Sequence, residues 1–191
     1  NVQGAAAGDS FRADVGVTNH TGHKLPTGYP EGRRMWIQVP ARDGLGNVVY
    51  QSGAYDAATG VLDASGDARV YEINLGVSPG LGGALGLSNG PSFHFTLNDT
   101  VYKDNRIPPQ GFTNAAYANF GGQPVDPTVP GQRYADGQNW DIASYALPST
   151  ARRVTAVLYY QTTSKDYVEF LRDQNTTNTA GQALHTAWTA N

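Results

Sequence analysis

The sequence contains no cysteine. That excludes disulfides, iron–sulfur clusters, thiolate zinc sites, cysteine nucleophiles and haem attached through a CxxCH motif. It leaves the redox compartment open, because a chain without thiols folds on either side of a membrane. Charge is scarce too. Charged residues make up 15% of the chain, against about 25% in an ordinary soluble domain. Thirteen Lys and Arg face sixteen Asp and Glu, for a formal net charge of −3, so there is no basic footprint for nucleic acid. No apolar run approaches the roughly 18 residues of a membrane span. The GxSxG, HExxH, P-loop and dinucleotide motifs are all missing, and the expectation is a protein that is not an enzyme. The single Met is Met35. A processed chain with any export signal removed, or a fragment, is therefore expected.

What is abundant points to sheet and turn. The chain has 23 Gly, 11 Pro and 11 Tyr, a composition suited to turns and half-buried sheet surfaces rather than to a helical bundle. Its 191 residues fit one domain, at roughly 100–200 residues each. Residues 1–8 (NVQGAAAG) read as a tail or linker, leaving 9–191 as a single domain. Phe11, Ala13, Val15 and Val17 alternate with Arg12, Asp14, Gly16 and Thr18, a half-buried strand. Residues 19–32 are too rich in Gly, Pro, Asn and Thr for anything but an irregular loop. Met35, Ile37 and Val39 give a second strand, which Pro40 should end or place at a sheet edge. A turn at 43–47 folds Val48 to Ser52 back as a hairpin.

Farther on, 57–68 is turn-rich, Val70 to Leu75 reads as a strand, and 76–91 as a flexible glycine-rich loop. Ser92 to Leu97 alternates as another strand. Residues 98–150 have little periodicity and should fold over the sheet with one or two short strands. Arg153 to Thr162 is the strongest strand in the chain. Ser164 caps a helix over about 165–173, and a second short helix spans 179–188, with Ala183/Ala187 and Leu184/Trp188 four apart. The fold class is mainly β: an immunoglobulin-like β-sandwich with long loops and one or two short C-terminal helices.

Four histidines are candidates for chemistry: His20, His23, His94 and His185. His20 and His23 sit three apart in the first loop, the best local candidates for a metal or haem ligand, since imidazole suits both. His94 and His185 read as structural. Asp63, Ser65 and Asp67 (DASGD) resemble the first half of a calcium loop, with oxygens at alternate positions. An EF-hand needs a Glu at loop position twelve, and Glu72 stands at position ten, so only a weaker Ca²⁺ site is open here. Asp99, Asp104, Asp136 and Asp141 lie in turn contexts and should hold loops through Asx-turns. The sequons at Asn19, Asn98 and Asn175 are close to chance in a chain with 13 Asn. Trp36, Trp140, Tyr145, Tyr159 and Tyr160 could line a sugar-binding face, or serve as core and loop anchors.

The stretch Val17 to Trp36, VTNHTGHKLPTGYPEGRRMW, resembles a segment of multihaem c-type cytochromes of metal-reducing and related anaerobic bacteria. Further blocks resemble the same family in the same order. They are Ser52 to Asp56 with Thr59-Gly60, Val70 to Glu72, Phe93 to Phe95 with Leu97 to Asp99, Tyr102 to Pro109 with Gly111 to Asn114, Asp136 to Asp141, and Leu158 to Lys165. Together they run from about residue 9 to 188. The resemblance implies a haem-free β-domain that accompanies a CxxCH-bearing segment. This chain departs from the family proteins in having no CxxCH motif of its own.

It follows as an expectation that the chain is a companion of an electron-transfer protein. It would be either a fragment of a longer cytochrome or an independent chain that docks on one. The family's Gly-His-x-x-Pro-Thr-Gly falls on Gly22 to Gly28, which makes His23, and less so His20, the candidate axial ligand for a haem on a neighbouring segment. The competing expectation is that this loop is a folding signature, with Lys24, Arg33, Arg34 and Glu31 ion-paired to aspartates of later loops. The implied partner is a multihaem cytochrome segment or chain, with self-assembly through edge strands also open. The implied location is extracellular or at the cell surface, or periplasmic. No covalent cofactor is expected; contact with a partner's haem iron and Ca²⁺ both stay open. The alternative is a stand-alone surface binding or assembly module holding Ca²⁺ or carbohydrate.

Overall fold

A computed structural model describes residues 2–7 and 10–190. Asn1, Gly8, Asp9 and Asn191 lie outside the described residues, and so does what was expected of them as part of the tail and domain. The framework is mainly β, with several small antiparallel sheets followed by two C-terminal helices. The first sheet orders β1 (Val2–Ala7), β2 (Ser10–Thr18) and β11 (Trp140–Pro148). β2 carries the expected period of two, and its partner register sets Ala13 opposite Tyr145, Val15 opposite Ala143 and Val17 opposite Asp141.

The second sheet is built around β3 (Arg34–Arg42). Along one of its edges run β12 (Arg153–Val154) and β13 (Val157–Gln161), in a single register from Arg153↔Arg42 to Gln161↔Arg34. Along the other edge run β4 (Val48–Ser52) and β7 (Val70–Tyr71). One hydrophobic cluster joins the two sheets: Val15, Ile37, Val39, Tyr71, Tyr145 and Leu147 all belong to it. At ~1.5–3 kcal/mol for each large side chain fully removed from water, that shared core is the main force holding the sheets together. A third sheet orders β10 (Thr100–Asp104), β8 (Ile73–Val77) and β9 (Gly90–Pro91), and β5 (Tyr55–Asp56) pairs with β6 (Val61–Leu62).

Four helices complete the described residues: α1 (Pro79–Leu85), α2 (Asn114–Ala118), α3 (Lys165–Gln174) and α4 (Ala180–Thr189). α3 starts as its sequence specifies, with Ser164 Oγ accepting from the Tyr167 N–H and Asp166 in the first turn.

Several expectations are corrected. Val2–Ala7, read as tail, pairs antiparallel along β2, because small residues satisfy their backbone groups on a sheet edge as readily as in water. Pro40 neither ends β3 nor sits at the sheet edge. Its carbonyl accepts from Thr155 N–H at 3.1 Å, so its missing N–H faces the break between β12 and β13, where the ladder needs no donor. That same break divides the segment read as one strong strand, and Val157 to Tyr160 are 37–53% exposed.

The glycine-rich 76–91 contains α1. Ser78 caps it, Pro79 opens it and Gly86, at φ 68°, closes it, the Ser–Pro–Gly punctuation that overrides poor propensity. Ser92 to Leu97 is no strand: Phe95–Leu97 is a 3₁₀ turn, and Phe93 packs on Tyr167 and Phe170 instead, at 5.1 and 5.5 Å between ring centroids. The long 98–150 stretch holds β10, α2 and the nine-residue β11. β11 hides its period because it turns Asp141 inward and Trp140 and Ile142 outward.

Candidate functional site

β2 ends at Thr18, and residues 19–33 must carry the chain round to β3. The loop supplies its own anchors. Asn19 is fully buried, and its Nδ2 donates to the carbonyls of His23, Ile107 and Pro108 at 2.7, 2.9 and 3.0 Å. Its Oδ1 accepts from Thr21 N and Oγ1, both at 2.8 Å. Leu25 and Ile107 exchange backbone hydrogen bonds of 2.9 and 3.0 Å. Asn19 and Leu25 thus tie the loop to Ile107 and Pro108, more than 80 positions away.

The second anchor is charged. Lys24 is 8% exposed, and its Nζ donates to Asp104 Oδ2 and to Gly122 O, each at 2.6 Å. Arg106 grips the same carboxylate through both oxygens at 2.8 Å. Burial pushes the Lys24 ammonium below its ordinary pKa, and Asp104 opposes that shift. Removing one member of such a buried set strands the others without compensation.

Held this way, the loop turns its histidines out. The His23 carbonyl is fixed by Asn19 and by Thr21 Oγ1, at 2.9 Å, while the imidazole is exposed, as is that of His20. Both are thus exposed residues of an anchored loop. Of the ion pairs expected for a folding signature, Lys24 pairs with Asp104, while Arg34 lies 4.0 Å from Asp166 in the first turn of α3 rather than from a loop aspartate. Arg33 instead donates to the Thr27 carbonyl at 2.6 Å, and Glu31 makes no ion pair among the described residues.

The other nominated residues lie elsewhere. His94 presents its ring to Phe170 edge-on at 4.8 Å. His185 on α4 has Arg172 Nη1 2.9 Å from Nε2; arginine only donates, so that nitrogen accepts. Asp63 Oδ1 accepts from Ser65 N at 3.0 Å and Oγ at 2.5 Å, bonds that hold its carboxyl below the usual range. Asp67 accepts the Tyr50 hydroxyl. Among the described residues no group of three or more His, Asp and Glu gathers as a metal site.

The four aspartates assigned to Asx-turns work mainly over longer range. Asp99 and Asp136 hold loops by accepting from Ser78 and Asn114, far back along the chain. Asp104 belongs to the Lys24 anchor, and Asp141 accepts from Tyr71 and pairs with Arg133 and Arg69 at 3.0, 2.8 and 3.4 Å. Burial, above all, pushes the Tyr71 phenol well up. Of the aromatics proposed for a sugar face, Tyr145 is in the core and Trp36 is 3% exposed between Tyr159 and Tyr55, while Trp140, Tyr159 and Tyr160 are 40–53% exposed. Asn19 was the residue the sequence reading passed over. Its sequon was the signal, and full burial makes it a structural amide rather than a glycan acceptor.

The fold so built resembles part of a multihaem cytochrome. It is similar to a solved structure of a penta-heme cytochrome c552 from Thermochromatium tepidum, with a TM-score of 0.52 and 17% identity, over 93% of this chain and 34% of that one. The chain thus spans about a third of that protein's length. No family model matches the sequence, and no curated protein matches it. Without cysteine, this chain has no residue that fits the thioether attachment of a c-type haem, so no haem is held covalently here.

Proposed function

We propose that this chain is a non-catalytic accessory domain of an exported multihaem electron-transfer system. It caps or assembles the haem chain and offers His23 as an axial ligand to a haem on a neighbouring segment or chain. The observation that carries the reading is the fold likeness: nearly all of this chain corresponds to about a third of a penta-heme cytochrome, in a sequence that cannot bind haem covalently. The shared core of the first two sheets supports reading them as the immunoglobulin-like sandwich of such a domain. The anchored loop supports the ligand role. An axial histidine must be exposed yet fixed, since ligand orientation and surroundings tune the iron's potential, and His23 combines an exposed ring with a clamped backbone. The location that fits this role is extracellular or at the cell surface.

The test uses a ferric c-type haem peptide whose iron carries one histidine and an open sixth position. Titration with the full chain should convert it to a six-coordinate low-spin spectrum, with a shifted Soret band. His23→Ala should lose that conversion and His20→Ala should keep it. Identical spectra for wild type and His23→Ala would remove the ligand role. Purification of the native protein without any Soret-absorbing partner would count against the accessory role itself.

A further inference from the structure

Farther along the same loop, one carboxyl oxygen is left without a partner. Glu31 is 7% exposed, and its Oε2 is buried without a hydrogen-bond partner. No Lys or Arg pairs with it among the described residues. A carboxylate taken from water and left alone is costly, and proteins normally pair it, bond it or bind a cation to it. Glu31 lies on the wall of a cavity of about 190 Å³ between the turn before β3 and the third sheet. That is room for about six waters at ~30 Å³ each.

The rest of the wall has a definite chemistry. Ile73, Leu75, Pro91 and Phe93 make most of it apolar, and Asn74 and Ser92 are polar residues of the same wall. A bare metal ion does not suit such a lining, which offers one carboxylate and a largely hydrocarbon surface. An anion is excluded by Glu31 itself. A molecule with an alkyl body and a positive head suits it: the body lies against the apolar wall, and the head meets the carboxylate. A primary ammonium brings three N–H donors and no acceptor, which matches Glu31 with Asn74 and Ser92 on the same wall.

We propose that this cavity is a binding site for a primary alkylammonium group, with Glu31 as its counter-ion. The group can belong to a small free amine or to a lysine side chain of a docked polypeptide; the chemistry is the same. The inference does not depend on the haem reading, since its residues and its test are separate from His23.

The test is calorimetric titration of the full chain with n-butylammonium chloride and, separately, with acetyl-Gly-Lys-Gly-amide, each against matched sodium chloride. Saturable binding is expected for at least one of the two. Tighter binding of butylammonium assigns the site to free amines; tighter binding of the peptide assigns it to a lysine side chain. Glu31→Gln should weaken binding at least about tenfold, and it should melt no lower than wild type, because the amide removes an unpaired charge. Leu75→Trp fills the cavity, leaves the carboxylate in place and should also abolish binding. Absence of saturable binding for both probes, or binding that survives either substitution, overturns the proposal.

Discussion

Two loops of this molecule look alike in sequence and are built in opposite ways. Residues 19–33 and residues 57–68 are both dense in turn-forming residues, and both were nominated for ligands. The first is fastened from beneath. Asn19 and Lys24 are buried, and their partners lie on the distant 104–108 segment and at Gly122. The second is held mostly by short-range bonds, Asp63 to Ser65 and Asp56 to Ala58 and Thr59, with Asp67 accepting the Tyr50 hydroxyl of β4, all exposed. The lesson is that turn composition describes how a chain bends, while the burial of a few polar side chains decides whether the bend becomes a platform. Only a platform can hold an exposed imidazole in one place.

The comparison can be broken most forcefully at Asp104. Asp104→Ala should cost about 3–5 kcal/mol, since it leaves Lys24 and Arg106 without their carboxylate; urea unfolding measures it. A cost near zero would mean that the loop is not anchored by charge. Asn19→Ala comes next, at about 2–3 kcal/mol, because it leaves carbonyls of His23, Ile107 and Pro108 short of a donor. It should also weaken the spectral response of the haem peptide, which a merely destabilised but still anchored loop would preserve.

Smaller effects sharpen the contrast. Ser164→Ala, away from both loops, should cost about 1 kcal/mol through loss of the α3 cap, read as a lower melting temperature. Acid should act through aspartates such as Asp99 and Asp136, whose carboxyls are held low, by the Ser78 hydroxyl and by the Asn114 backbone N–H respectively. Their folded pKa lies below the unfolded value of ~3.9, so their contribution is present above that pH and lost as pH falls through the folded value. Asp99→Asn should therefore flatten part of the acid limb of a stability–pH curve, lowering stability at neutral pH and leaving it little changed in strong acid. Asp63→Ala should be smallest, within about 0.5 kcal/mol, with no shift in melting temperature when calcium or a chelator is added. A clear calcium shift that Asp63→Ala abolishes would restore the second loop as a site.

Much of the framework was legible because it rests on local rules. β2 and β3 alternate cleanly, the hairpin to β4 turns where Asp43 to Asn47 demand it, and Ser164 starts α3. What was misread depends on partners far along the chain. β11 looked aperiodic because Asp141, a charge, faces inward to Arg133 and Tyr71. β13, read with β12 as one strong strand, pairs on one side only with β3 and stays half open. In the candidate site, the motif pointed to His23, but neither Asn19 nor the solitude of Glu31 could be read from spacing.

The sequence by itself determined that no haem, metal cluster or disulfide is held through cysteine here, because that chemistry needs a thiol. It also determined where strands alternate and where α3 begins, because period and capping act over a few residues. Only the tertiary structure decided which aspartates are buried, which histidines are presented and which carboxylate is left unpaired. Those outcomes turn on contacts such as Lys24 with Asp104 and Leu25 with Ile107. They are made between segments that meet only when the sheets close on their common core.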